Sequence, residues 1–295
     1  MKRKLLTLLL ITALLLSLFC GCSSDAEPAQ IAATTLPVYE FTTRLCEGTG
    51  IRISQLVTEE VSCLHDYTLQ VAQMRTIESA QVVVISGGGL EDFLDDAVKS
   101  AEMIDASENV PRLCGSHEHQ SHSQDSSHSH EEDPHFWLSP ENAKIMAQNI
   151  CAGLCVQFPE HKNTFEANLI TLLAKLDELH KYGTEQLSEL SCRHLITFHD
   201  GFSYFAEAFG LNILHAVEEE SGSEASAAEL AELVNMVTEH HLPAVFTEEN
   251  GSTAAASIIA AECDIRIYTL NMAMSGDSYF DAMYQNINTI KEALG

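Results

Sequence analysis

The chain is 295 residues long and 45% apolar, enough for a full core in one large domain or two ordinary ones. Its 15 Lys and Arg stand against 43 Asp and Glu, a balance that argues against nucleic acid and anionic membrane surfaces as partners. The acidity serves solubility first, and it also raises the local concentration of cations.

Lys2, Arg3 and Lys4 precede an unbroken stretch of apolar and small residues over 5–19. That stretch is shorter than the roughly twenty residues a spanning helix needs, and the combination reads as a secretory signal. Gly21-Cys22 followed by Ser23-Ser24-Asp25 resembles a bacterial lipobox, in which Cys22 is acylated and becomes the mature N-terminus. Phe19 departs from the usual Leu, so simple secretion stays open as the other reading. No other segment is suited to cross a membrane, and contact with the membrane is expected through the lipid anchor only.

Residues 31–35 form a short apolar run ended by Pro37, and 38–46 read as helix. Residues 51–57 look like a strand, 69–79 have helical spacing, and 82–85 are a β-branched run expected to be a buried strand. Helix is expected again over 90–97, with one more short strand at 103–104. From 114 to 133 the pattern gives way to Ser, Gln, Asp and Glu around His117, His119, His122, His128 and His130. Nothing there can bury a core, so a mobile loop is expected. Helices follow over 140–156 and 159–190, the second long enough to be a spine between two lobes. The alternation then restarts, with strands at 194–198, 211–216, 244–247 and 265–270. Helices are expected at 202–209, 226–240, 253–262 and 279–294. Ser226 with Glu229 three residues on makes a capping box.

The β-α-β-α order implies an α/β fold of two lobes, each a mainly parallel sheet flanked by helices, joined by a long rigid backbone helix. The expected division is 1–22 signal and lipobox, 23–30 tether and 31–157 N-terminal lobe, the last containing the His-rich loop 114–133. Residues 158–190 form the linking helix and 191–295 the C-terminal lobe. Of nine cysteines, Cys20 and Cys22 belong to the leader, which leaves seven: Cys46, Cys63, Cys114, Cys151, Cys155, Cys192 and Cys263. An odd number leaves at least one free, and the absence of C-x-x-C argues against a thiolate zinc site. The pairs expected are Cys63 with Cys114 and Cys192 with Cys263.

Open α/β sheets bind ligands beyond the carboxyl ends of their strands. His65 lies past the strand ending near Val57, and His199 directly follows the strand Leu195-Ile196-Thr197-Phe198. Asp277 sits in the loop after Leu270, and His135 closes the His-rich loop before the helix near Pro140. Two fall in each half, so facing lobes would gather all four in one cleft. Three imidazoles and a carboxylate suit Zn2+, which takes nitrogen and oxygen ligands tetrahedrally. The same set disfavours Mg2+ and Ca2+, and favours zinc over Mn2+ on ligand softness. Taken singly, a His after a strand more often caps or hydrogen-bonds, and Asp277 serves equally well as a helix N-cap. Glu218 to Glu220, Glu248 and Glu249 also follow strands and offer other carboxylates, although solvated loop acids are the plainer reading of them. The loop histidines either collect metal for the main site or simply belong to a solvated linker. Because histidine binds metal only when neutral, such a site should weaken below pH about 6.5.

Asp133-Pro134-His135-Phe136-Trp137-Leu138-Ser139-Pro140 is similar to the D-P-H-x-W-L-x-P signature of bacterial zinc- and manganese-type ABC-transporter solute-binding lipoproteins, the high-affinity zinc-uptake binding-protein family. Leu64-His65-Asp66-Tyr67 resembles that family's first-ligand motif, P-H-x-Y-E-P. Thr197-Phe198-His199-Asp200-Gly201-Phe202 with Tyr204-Phe205 resembles its third, and Gly276-Asp277-Ser278-Tyr279 with Met283 and Asn286 the segment that supplies an acid. The resemblance spans residues 31–295. It implies two lobes on a backbone helix and metal ligation by His65, His135, His199 and Asp277. It also implies Zn2+ as the transported ligand, with delivery from the extracytoplasmic face of the membrane to an ABC permease, by a monomer.

Manganese-type members commonly carry an acid where this chain has His199, and the His-rich loop is typical of zinc-type members. A Mn2+- or Fe2+-binding member of the same family is the nearest alternative. Departures are Leu64 in place of Pro, Cys63 ahead of it, loss of the Glu and Pro usual after Tyr67 (Leu69 lies in that stretch), and Ser139 where Asp is frequent.

A zinc hydrolase is the rival reading from the residues alone. It lacks H-E-x-x-H and G-x-S-x-G, and only Asp66 and Asp200 stand beside a ligand as bases. Asp200 serves equally as support for a neighbouring ligand. Gly87-Gly88-Gly89 lacks the third glycine of a phosphate loop, so a tight turn is expected. A surface metal-binding adhesin is compatible with the same sequence.

Overall fold

The computed structural model describes residues 29–59, 64, 67–94, 97–98, 101–113, 133–217 and 225–295. The chain enters through β1 (Ile31–Ala33), α1 (Leu36–Leu45), β2 (Ile53–Gln55), α2 (Val71–Ser79), β3 (Val82–Ile85) and β4 (Glu102–Asp105). These strands form a four-stranded sheet, order β2-β1-β3-β4, in which every pairing is parallel. Two helices follow, α3 (Pro140–Gln157) and α4 (Lys162–Gln186). The second lobe comprises β5 (His194–Thr197), α5 (Ser203–Phe209), β6 (Asn212–Ala216), α6 (Ala227–Glu239), β7 (Ala244–Glu248), α7 (Ala254–Cys263), β8 (Arg266–Leu270) and α8 (Tyr279–Leu294). Its sheet, order β6-β5-β7-β8, is parallel as well.

Strand side chains alternate between two hydrophobic layers, as the period of two requires. Ile31, Ala33, Val82 and Val84 join one large core, whereas Ala32 and Val83 turn to a smaller outer cluster with Leu56 and Ile77. The second sheet repeats the arrangement. Leu195, Ala244 and Phe246 face the large core, while Ile196 and Val245 meet Leu233, Val237 and Ile259 outside. The large core is shared between the lobes. It runs from β1 through Trp137, α3 and α4 to Phe205, Tyr279 and α8. Along α4 the buried residues Leu172, Leu176, Leu179 and Gly183 recur every three to four positions, the stripe of a helix packed on one face. That helix touches α1, α3 and α8, so it braces both halves of the molecule.

Three local expectations are revised. In place of a helix over 90–97, the described residues hold only a 3-10 turn, Asp92–Leu94. Gly87, Gly88 and Gly89 all take positive φ (88°, 69° and 87°). Behind them the Glu91 carboxylate accepts from Ser86 N at 2.8 Å, Gly87 N at 3.0 Å and Thr34 Oγ1 at 2.7 Å, pinning a tight turn where a helix would need free backbone. Helix α1 begins at Leu36 rather than after Pro37, because a proline in the first helical turn gives up no hydrogen bond. Cys192 and Cys263 are free thiols, not a disulfide. Cys192 Sγ accepts from His194 N at 3.5 Å and Cys263 Sγ lies 3.9 Å from Val234 O, so each is committed to its own surroundings. The pairing of Cys63 with Cys114 lies outside the described residues. Among the described residues, no helix is long and apolar enough to cross a membrane.

Candidate metal centre

Strands β5 and β7 are parallel neighbours, Thr197 opposite Phe246, with Phe198 N donating to Phe246 O at 2.9 Å. Their carboxyl ends therefore emerge side by side and bring His199 against Glu248. His199 Nδ1 lies 3.5 Å from Glu248 Oε2, with side chains 16% and 7% exposed. Glu248 closes a strand that is buried at every position. Its Oε2 is buried and takes part in no hydrogen bond among the described residues, and burial pushes the carboxyl up to about 8. The reading of Glu248 as a solvated loop acid is corrected here. Glu249 is exposed and accepts from Asn271 Nδ2. Gly201 lets the backbone pass close to the His199 ring, since a Cβ there would stand 2.8 Å from Cδ2 and 3.0 Å from Nε2.

The other half of the centre comes from the segment entering α3. Asp133 and His135 are 4% and 2% exposed. Asp133 Oδ1 accepts from His135 N at 2.9 Å and pairs with His135 Nδ1 at 2.8 Å. A carboxylate facing Nδ1 holds the proton there and leaves the lone pair on Nε2. That Nε2 is buried without a hydrogen-bond partner among the described residues. A buried polar atom left unsatisfied costs about 1–3 kcal/mol, and His199 Nε2 is a second such atom among the described residues.

Aromatic side chains lock the two halves together. Tyr204, on α5, donates to Asp133 O at 3.1 Å and accepts from Leu113 N at 2.9 Å. Trp137, wholly buried, donates from Nε1 to Met272 O at 2.7 Å, and Tyr279 donates from its hydroxyl to Trp137 O at 2.7 Å. Phe136 lies between the Arg112 guanidinium, 4.4 Å from its ring centre, and the Tyr204 ring at 5.6 Å. Within this frame the rings of His135 and His199 meet edge to face, with centroids 5.3 Å apart.

Two of the four expected ligands, one from each half of the chain, are thus adjacent. Asp277 is exposed on the loop beyond Gly276, and Ser278 is the residue that caps α8, accepting from Asp281 N at 3.3 Å. Among the described residues, no three His, Cys, Asp or Glu side chains are grouped to hold a metal ion, so Asp277 does not join the histidine pair. His65, Cys22, Glu218 to Glu220 and the loop histidines His117, His119, His122, His128 and His130 lie outside the described residues. The sequence places Asp133 in the motif but gives it no role of its own. The signal for it was an acid two residues before a histidine, a spacing that permits a bond to Nδ1.

A family model described as "Zinc-uptake complex component A periplasmic", ZnuA, matches residues 31–293. The chain belongs to this family. Among curated ZnuA relatives, the high-affinity zinc uptake system protein ZnuA of Bacillus subtilis (strain 168) is 30% identical over 289 residues, which covers 93% of this chain and 90% of that protein. The zinc-binding protein AdcA of Streptococcus pyogenes serotype M1 is 28% identical over 289 residues, covering 89% of this chain and 55% of that protein. The chain thus spans about half the length of the streptococcal relatives. The crystal structure of the Zn(II)-bound ZnuA-like domain of Streptococcus pneumoniae AdcA superposes with a TM-score of 0.74 at 28% identity, covering 91% of this chain and 99% of that domain. Two parallel sheets spanned by a long helix are therefore the ZnuA-like α/β fold.

Proposed function

We propose that this chain is an extracytoplasmic solute-binding protein that captures Zn2+ between its lobes and delivers it to an ABC-transporter permease. The observation that carries the reading is the His135–His199 pair, with the Nε2 of the buried His135 unpartnered among the described residues. Membership of a family described as a zinc-uptake component supports it, as does the Zn(II)-bound state of the similar streptococcal domain. His65, His135 and His199 are the imidazole ligands in this reading, and Asp277 is the acid, reaching the site by movement of its exposed loop. Cys22 carries the lipid anchor, the protein acts as a monomer, and the loop histidines make weak auxiliary contacts with incoming metal.

Imidazoles dominate the set, which suits zinc better than Mn2+. The histidines hold cargo in this reading, which membership of a family described as a zinc-uptake component supports over hydrolysis. Calorimetric titration of the metal-free protein with Zn2+ and Mn2+, beside His199→Ala, tests the proposal. Tight one-to-one zinc binding, weak manganese binding and collapse in the variant are expected. Weak multi-site binding indifferent to His199 would leave no metal centre between the lobes.

A further inference from the structure

We propose that Glu248 is a positioning residue for zinc capture: its carboxylate accepts a hydrogen bond from Nδ1–H of His199 and so aims the opposite ring nitrogen, Nε2, at the metal. The inference rests on the reading of His199 as a ligand and adds a residue that this ligand set does not include. Its model is on the opposite side of the same centre. There the buried Asp133 carboxylate faces His135 Nδ1 at 2.8 Å, and the Nε2 of that ring is left for a ligand. Glu248 stands to His199 as Asp133 stands to His135, one acid behind each imidazole, contributed by a different lobe.

The separation of 3.5 Å between Glu248 Oε2 and His199 Nδ1 exceeds a hydrogen bond of about 2.7–3.2 Å. A ring shift of about half an ångström closes it, which a metal drawing on Nε2 would favour. Two features show that the acid is held in place rather than swept there by chance. β7 is buried along its whole length, so the backbone of Glu248 is fixed by the pairing Glu248 with Leu270 on β8. Beyond it the chain turns back, Gly251 N donating to Glu248 O at 3.2 Å. A Cβ at Gly251 would lie 2.5 Å from Glu248 Cγ and 3.0 Å from Oε1, so glycine leaves the room in which the carboxylate rests. A buried acid with an oxygen outside any hydrogen bond among the described residues is otherwise a burden on the fold; facing a metal-bound imidazole, it is matched.

The experiment compares zinc dissociation constants, measured by chelator competition, for the wild type, His199→Ala, Glu248→Ala, Glu248→Gln and Gly251→Val. Nitrogen-15 NMR of the histidine rings is recorded on the zinc-loaded proteins. Tight one-to-one binding by the wild type and its loss in His199→Ala establish the site first; if either fails, the proposed function fails and not this inference alone. Given both, Glu248→Ala should weaken zinc by about 10- to 100-fold with one-to-one stoichiometry kept. Glu248→Gln, whose amide oxygen still accepts from Nδ1–H, should recover part of that loss. Gly251→Val, which displaces the carboxylate without removing it, should move affinity in the same direction as Glu248→Ala. The zinc-loaded wild type should show His199 protonated on Nδ1 and metal-bound through Nε2. Wild-type affinity in Glu248→Ala would overturn the inference. So would metal on Nδ1 of His199, or equal losses in Ala and Gln, either of which would make Glu248 itself a ligand.

Discussion

At the scale of single residues, the centre is organised by what stands behind each imidazole. Asp133 fixes the proton of His135 on Nδ1 through a buried contact of 2.8 Å. Asp133→Ala should therefore raise the zinc dissociation constant by about 10- to 100-fold, and chelator competition would measure it; unchanged affinity would show that the tautomer needs no support. Gly201→Ala should also weaken zinc, measured by the same chelator competition, because the added Cβ stands 2.8 Å from the His199 ring, its nearest contact being the flexible end of Met272 at 2.6 Å. The sequence singled out His135 and His199 as candidate ligands, the second directly after a strand and the first at the end of the His-rich loop, within a motif that resembles the family's. It did not make their acids readable. Glu248 is written like any loop glutamate, and only the pairing of β5 with β7 reveals that it is buried behind a histidine.

Among elements, patterns with a local cause were legible and those fixed at a distance were not. The β-branched run Val82–Ile85 and the capping box of Ser226 with Glu229 are found as read, because neighbours in the chain suffice to specify them. The tight turn at Gly87, Gly88 and Gly89 is found as read, but the helix expected after it is not, because the Glu91 carboxylate is held by Ser86, Gly87 and Thr34, the last far off in sequence. The packing of α1 on α3 hides another such fact. Cys46 and Cys151 are free thiols pushed up to about 12, in both cases chiefly by burial and then by a neighbouring thiol, Cys151 for the first and Cys155 for the second. In the unfolded chain a thiol ionises near pH 8.5. The folded state keeps the proton longer, so the stability these groups contribute is intact below that pH and lost as pH rises toward 12. The thermal midpoint should fall between pH 7.5 and 10, and fall less in a Cys46→Ala, Cys151→Ala double variant; equal falls would refute a role for the thiols.

The whole molecule is bound by one core that crosses from lobe to lobe, with α4 along its middle. Leu176, wholly buried on that helix, should cost about 2–5 kcal/mol when cut to Ala. Denaturant unfolding would measure it, and a loss below about 1 kcal/mol would mean the spine is not the shared support described here. The two-lobed α/β plan was legible from the β-α-β-α order, with a long helix between its two runs. The approach of the lobes was not, because it depends on Tyr204, Trp137 and Tyr279 bonding to backbone groups remote in sequence. Those bonds carry His135 to within ring contact of His199, the meeting point proposed to hold zinc. Anomalous diffraction at the zinc edge from crystals of the zinc-loaded protein tests it directly. A single strong peak about 2.0–2.1 Å from His135 Nε2 and from a ring nitrogen of His199 is predicted. Zinc elsewhere on the surface, with the space between the two rings empty, would rule out a metal centre at this pair.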